Sequence, residues 1–254
     1  LLRKSLPRNA FLQYTATPQA ILLTSRKDHY SPEWARIITP GTRYVGTEEL
    51  FNQDSPVPVT IPPADIIPAR AEEVELPDSL LEALRTYLLT AAQSLLTPDI
   101  FLKKVTMMVH PAREVVVHKK IGAELESKIK DWKSIIDFSG PDYFKNLQKK
   151  YFLKCYEELK STNKNIKPFN DLLELVPKII KFLIITTLNA DSDNDNSKRR
   201  VDWDLSKFHL IIGGDLLDRG FVVKGLVTTY MPRSAGVGNS DTIQQRGRFY
   251  GYKK

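Results

Sequence analysis

Cysteine is almost absent. Cys155 stands alone in a chain of 254 residues, so no disulfide can form within it. A reducing compartment is the expected setting, with the cytoplasm as the expected location. Long apolar runs are missing too. The longest candidate, residues 172–188, is interrupted by Lys178 and Lys181, and a membrane span needs roughly 18 uninterrupted residues; no membrane partner is expected. No secretory signal opens the chain, and the start at Leu1 suggests a piece of a longer protein. The four histidines, His29, His110, His118 and His209, lack the spacing of metal ligands. No G-x-x-x-x-G-K-[ST] loop exists: residues 41–47 have the two glycines, but Thr47 stands where the lysine is needed. A D-E-x-H box for holding magnesium is also missing. Alone, such a chain should bind a nucleoside triphosphate poorly and not hydrolyse it.

Acidic excess is lacking as well, and the distribution of charge is uneven. The net charge is +7. Residues 100–182 hold 17 Lys and Arg against 10 Asp and Glu, while the rest of the chain holds 20 of each. One segment therefore carries the whole imbalance. Its lysines include Lys145, Lys149 and Lys150, with Tyr143, Phe144, Tyr151, Phe152 and Tyr156 among them. Lysines attract a phosphate backbone without reading sequence, and aromatic rings can stack on bases. The competing reading is a solvated helical face with its aromatics turned inward; the residues alone leave the two about level.

The periodicities outline an α/β chain. Residues 9–23 read as a strand and polar turn, and the prolines between residues 32 and 77 predict an irregular, extended connector. Leu80, Leu84, Leu88, Ala91 and Ala92 recur at helical spacing behind Pro77, and Thr97-Pro98 closes that helix. Short apolar strands are predicted at 104–110, 182–188, 208–213 and 226–230. Helices are predicted at 111–138, at 142–159, from 169 onward and at 242–250. Strands separated by long crossovers imply a parallel sheet covered by helices.

The sharpest chemistry lies in the last 50 residues. A buried strand runs into Gly213-Gly214-Asp215-Leu216-Leu217-Asp218-Arg219-Gly220, a strand-end loop where α/β folds bind ligands. Gln244-Gln245-Arg246-Gly247-Arg248 follows. Two arginines flanking a glycine suit a bidentate grip on phosphate oxygens and can stabilise charge on a transferring phosphoryl group.

These runs resemble motifs V (GGDLLDRGF) and VI (QQRGR) of superfamily 2 helicases, and YTATP at residues 14–18 resembles motif III. The chain is more closely similar to the helicase-like family named for its Z-one domain, which is also described as an endonuclease domain. The strings carrying that resemblance are YTATPQA, YVGTEELF, LLEALRTYLL, MMVHPAR, IIGGDLLDRGFVVKGLVTTYMPR and DTIQQRGRFYGYK, in this order and across nearly the whole chain. The resemblance implies a RecA-like parallel sheet flanked by helices. Residues 1–30 would be the tail of a first RecA-like domain and 31–76 a connector. Residues 77–254 would form a second RecA-like domain with a basic helical insertion at about 119–170.

By the same resemblance, Thr15 and Thr17 would couple the domains. Gly214, Asp215, Arg219 and Gly220 would line the nucleotide cleft. Gln244, Arg246 and Arg248 would face the γ-phosphate, with Arg248 as the arginine finger. His110 and Arg113, at the end of MMVHPAR, would contact nucleic acid, as would Lys145, Lys149 and Lys150. Gly251 stands where many superfamily 2 proteins have a further arginine, which leaves Arg246 as the alternative finger. Val222 replaces an acidic residue that often follows motif V, which puts its ribose or domain contact in question.

The implied cofactors are ATP and Mg2+, held mainly by the absent first domain. The implied partners are DNA (or RNA), that domain, and a nuclease or further ATPase. The expected activity is ATP-dependent translocation on DNA in a defence or restriction-type system. Two rivals remain: a Mg2+-dependent endonuclease built on Asp99 and Glu126-Ser127-Lys128, and a non-catalytic DNA-binding scaffold.

Overall fold

The computed structural model describes residues 10, 12–15, 31–39, 41, 44, 46, 50, 52, 54–68, 73–97, 102–112, 114–188, 201–214 and 222–232. These form four helices and four strands: α1 (Asp78–Leu96), β1 (Val105–Val109), α2 (Val115–Phe138), α3 (Pro141–Thr162), α4 (Phe169–Phe182), β2 (Ile184–Leu188), β3 (Phe208–Gly213) and β4 (Leu226–Tyr230). A single 3-10 turn, Pro63–Asp65, precedes them. Residues 10 and 12–15, within the span read as a strand, are in neither helix nor strand. The helix at 242–250 lies outside the described residues.

The strands are parallel and lie in the order β2-β3-β1-β4. Central β1 and β3 are buried at every position, which explains their largely apolar sequences, with Thr106 and His209 as the polar exceptions: a strand covered on both faces shows no polar alternation. Val105, Met107 and Val109 of β1, with Phe208, Leu210 and Ile212 of β3, face the helices in one large core. Met108, Ile211, Leu188, Val201, Val223 and Leu226 form a second cluster with Trp203 packed against it.

α1 lies against β1 and β4, and α2 against β2 and β3; α3 and α4 pack on α1 and α2 as an outer layer. α1 starts where predicted: Pro77 stands at the N-cap, its carbonyl accepting from the Leu81 backbone N–H at 3.1 Å, and Asp78 complements the helix dipole. Thr97 closes it, its backbone N–H donating to the Gln93 carbonyl at 2.9 Å. The second helix begins at Val115 rather than Pro111, because His110, Pro111 and Ala112 form the buried turn leaving β1. α4 runs straight through the buried Pro177 to Phe182. Its apolar face, with Leu172, Val176, Ile179 and Ile180 fully buried, outweighs the one backbone donor that proline removes.

The basic segment read as an insertion consists of α2 and α3, and its inward side belongs to the main core. Trp132 and Phe144 meet edge to face with ring centroids 5.8 Å apart. In the connector, Ile61, Ile67, Val74 and Leu76 pack against the same core. Ahead of β4, Gly225 has φ 63° and its backbone abuts the Lys104 carbonyl, where no Cβ would fit. Among the described residues no helix is long and apolar enough to cross a membrane.

Candidate functional site at the carboxyl edge of the sheet

The chain of β1 goes on through α2, α3 and α4 to β2, at one end of the strand order, whereas the strand that follows β3 is β4, beyond β1 at the other end. Adjacent strands β1 and β3 therefore send the chain in opposite directions at their carboxyl ends. That is the switch point at which parallel sheets open a ligand crevice. His110 follows β1 there and Gly214 follows β3. α2, beginning just beyond β1, points its N-terminus to the same edge.

A row of polar groups crosses this edge. His118, in the second turn of α2, is buried and pairs through Nε2 with the Ala112 carbonyl at 2.8 Å. Its ring meets the buried His110 ring edge to face, centroids 6.3 Å apart. The His110 backbone N–H donates to the Tyr230 carbonyl at 2.9 Å, tying β1 to the end of β4. The Tyr230 hydroxyl lies 2.8 Å from Ser79 Oγ in the first turn of α1. The Ser79 backbone N–H donates in turn to Asp65 Oδ2 at 3.0 Å. Asp65 thus caps a helix that begins 13 residues after it in the chain. Hydrogen bonds from Ser79 hold the Asp65 carboxyl below its usual range. Burial pushes the Tyr230 hydroxyl up, with the Ser79 contact opposing it.

Gly214 has an identifiable packing reason. A Cβ built on it would come within 2.3 Å of His118 Cε1 and 2.9 Å of Nε2. Its φ is outside the positive range, so glycine is needed here for space and not for backbone freedom. Beside Asp65 an open cleft of about 370 Å3 is lined by Asp65, Glu73, Glu75 and Asp78 among others. Its carboxylates repel a polyanion. No group of three or more His, Cys, Asp or Glu among the described residues could hold a metal ion.

The other predicted residues are dispersed. Thr15 is exposed and in no regular element. Lys145, Lys149 and Lys150 lie on α3, in the outer layer, apart from His110 and Gly214. Lys145 is ion-paired with Asp142 at 2.7 Å and Glu174 at 2.5 Å, its side chain 12% exposed; the hydrogen bonds to those carboxylates raise its pKa. Lys149 and Lys150 are exposed, and the Lys150 ammonium lies 4.7 Å from the Tyr151 ring centroid. Glu126 and Lys128 sit within helix α2. Thr17, Asp99, Arg113, Asp215, Arg219, Gly220, Gln244, Arg246 and Arg248 lie outside the described residues.

A family model described as Z1 domain matches residues 79–254. The chain belongs to the Z1 domain family. No curated protein and no solved structure matches it. The Z1 match begins at Ser79, so it takes in every strand and the whole carboxyl edge except Asp65. His118, Ser79, Tyr230 and Asp65 are the edge residues that sequence reasoning missed. Only the paired glycines Gly213-Gly214 hinted at a neighbour pressed against the strand end. Nothing in the spacing joins Asp65 to Ser79 or Ser79 to Tyr230.

Proposed function

We propose that this Z1 chain supplies one half of an ATP-driven, DNA-translocating motor of superfamily 2 type. It would form the second RecA-like domain, facing a first domain that carries the phosphate-gripping loop. The observation that carries this reading is the switch point between β1 and β3. Gly214 stands there, and Asp215, Arg219 and Gly220 of the run that resembles motif V follow it in the sequence. Arg246 and Arg248 would come to the same cleft from the motif VI run and stabilise charge on the transferring phosphoryl group.

ATP with Mg2+ would be held only in part by this chain, through the guanidinium groups of Arg219, Arg246 and Arg248, whereas the Walker lysine and the magnesium carboxylates would come from the first domain. When bound, ATP supplies the phosphoryl-transfer free energy that moves one domain against the other. His110, expected from the sequence to touch nucleic acid, is 1% exposed and so does not serve as a contact; DNA would instead meet Arg113 and the exposed lysines of α3. A defence or restriction-type system, with a separate nuclease as partner, suits such a motor.

Arg248→Ala in the intact protein tests the reading. DNA-stimulated ATP hydrolysis should fall by about 10^3-fold or more, the scale of a lost arginine finger, with DNA affinity largely retained. Unchanged turnover would remove Arg248 from the site; the same loss in Arg246→Ala alone would transfer the role to Arg246.

A further inference from the structure

We infer that His118 is the positioning residue of this site: its imidazole acts as a wedge that sets where the chain leaves β3. The inference rests on the motor reading for its function and on geometry alone for its existence. Three segments meet at the ring. Its Nε2 pairs with the carbonyl of Ala112, in the turn leaving β1. The ring is carried by α2, in the second turn after that turn ends. Its Cε1 edge occupies the space that a side chain at Gly214 would fill. The turn after β1 and the residue after β3 are therefore both referenced to one buried side chain that is 2% exposed.

The chemistry of the ring is fixed by its partner. A carbonyl oxygen only accepts, so Nε2 carries the hydrogen of this bond. Nδ1 is buried and has no hydrogen-bond partner among the described residues. The ring is held through one nitrogen and one edge contact, with the His110 ring set perpendicular against it. Asp215 follows Gly214 directly, and Arg219 stands five residues beyond it. A displaced Gly214 would therefore move the base of the loop that carries them. Because Gly214 has no positive φ, alanine is conformationally allowed there, and the imidazole is what opposes it.

A double-mutant cycle with Gly214→Ala and His118→Ala tests this. Thermal unfolding of the full chain reads the wedge: Gly214→Ala should lower Tm by about 5 °C, the scale of overpacking by one methyl. Removing the ring should relieve that clash, so adding Gly214→Ala to His118→Ala should cost little or nothing further. Additive losses, or a harmless Gly214→Ala, would overturn the wedge.

ATP turnover by the intact protein reads the positioning. Gly214→Ala and His118→Ala should each lower kcat at least 10-fold with KM for ATP within about 3-fold, measured well below their melting temperatures. His118→Gln, which keeps an amide donor near Nε2, should recover part of the kcat. Coupled melting with unchanged kcat overturns the positioning role and leaves the motor reading intact. A wild-type protein with no DNA-stimulated ATP hydrolysis instead overturns the motor reading, and with it the role in turnover; the melting cycle still decides the wedge.

Discussion

At the residue scale, single buried polar groups govern how this chain responds to its surroundings. His209 illustrates it. The side chain lies within β3, fully buried, with Nε2 pairing to the Ser206 carbonyl at 3.0 Å and Trp203 against its ring. Burial, with Lys104 nearby, pushes its pKa below the ordinary 6.5. The folded state therefore binds the proton less readily than the unfolded state. Stability from this group is complete above pH 6.5 and is lost as pH falls through the depressed folded value. Urea unfolding at pH 7.5 and pH 5 should show the native protein weakening on acidification. In His209→Gln that decrease should be smaller; an identical decrease would assign it to other groups. The four histidines looked alike as isolated letters. What separates them is that His209 lies inside a strand and His118 against a glycine.

At the scale of elements, charge on α3 divides by what each lysine can reach. The segment holds the excess of positive charge, yet Asp142 and Glu174 neutralise Lys145, and Glu82 of α1 pairs with Lys154. Lys149 and Lys150 remain exposed on the helix. The aromatics divide too. Phe144, Phe152 and Tyr156 turn inward, while Tyr143 and Tyr151, 56% and 43% exposed, stay at the surface, because a helix has two faces. Replacing Lys149 and Lys150 together with glutamine should weaken binding to a DNA duplex and reduce the slope of log K against log salt by about 0.9 for each lost phosphate contact. Lys145→Gln should change that slope far less. Equal effects from all three positions would mean that the ion pairs of Lys145 open on DNA.

At the scale of the whole molecule, α2 and α3 cannot be regarded as an appendage to the sheet. Trp132, Phe144 and Phe152 share one cluster with Leu84 and Leu88 of α1 and with Met107 and Leu210 of the strands. Trp132→Ala should therefore destabilise the domain by about 3–5 kcal/mol, with the loss appearing in a single cooperative transition. Two separate transitions in circular dichroism and tryptophan fluorescence would show that the helical layer unfolds on its own. The connector is bound to the same body through the Asp65–Ser79–Tyr230 chain of hydrogen bonds.

The sequence alone determined most of the described elements and the family, though it read a strand across residues 12–15, where there is none, and began α2 too early. Apolar spacing marked α1, the four short strands and the basic helices, because periodicity reports which face of each element will be buried. The motif strings pointed to the family that the Z1 match then established. Only the tertiary structure decided the order of the strands, hence that β1 and β3 stand side by side and diverge at one end. It also decided that Gly214 faces His118, that Asp65 caps α1, and that Lys145 is already paired. The physical reason is one of range. Burial patterns are written locally along a chain, whereas a contact between residues 96 positions apart exists only once the sheet has brought their elements together.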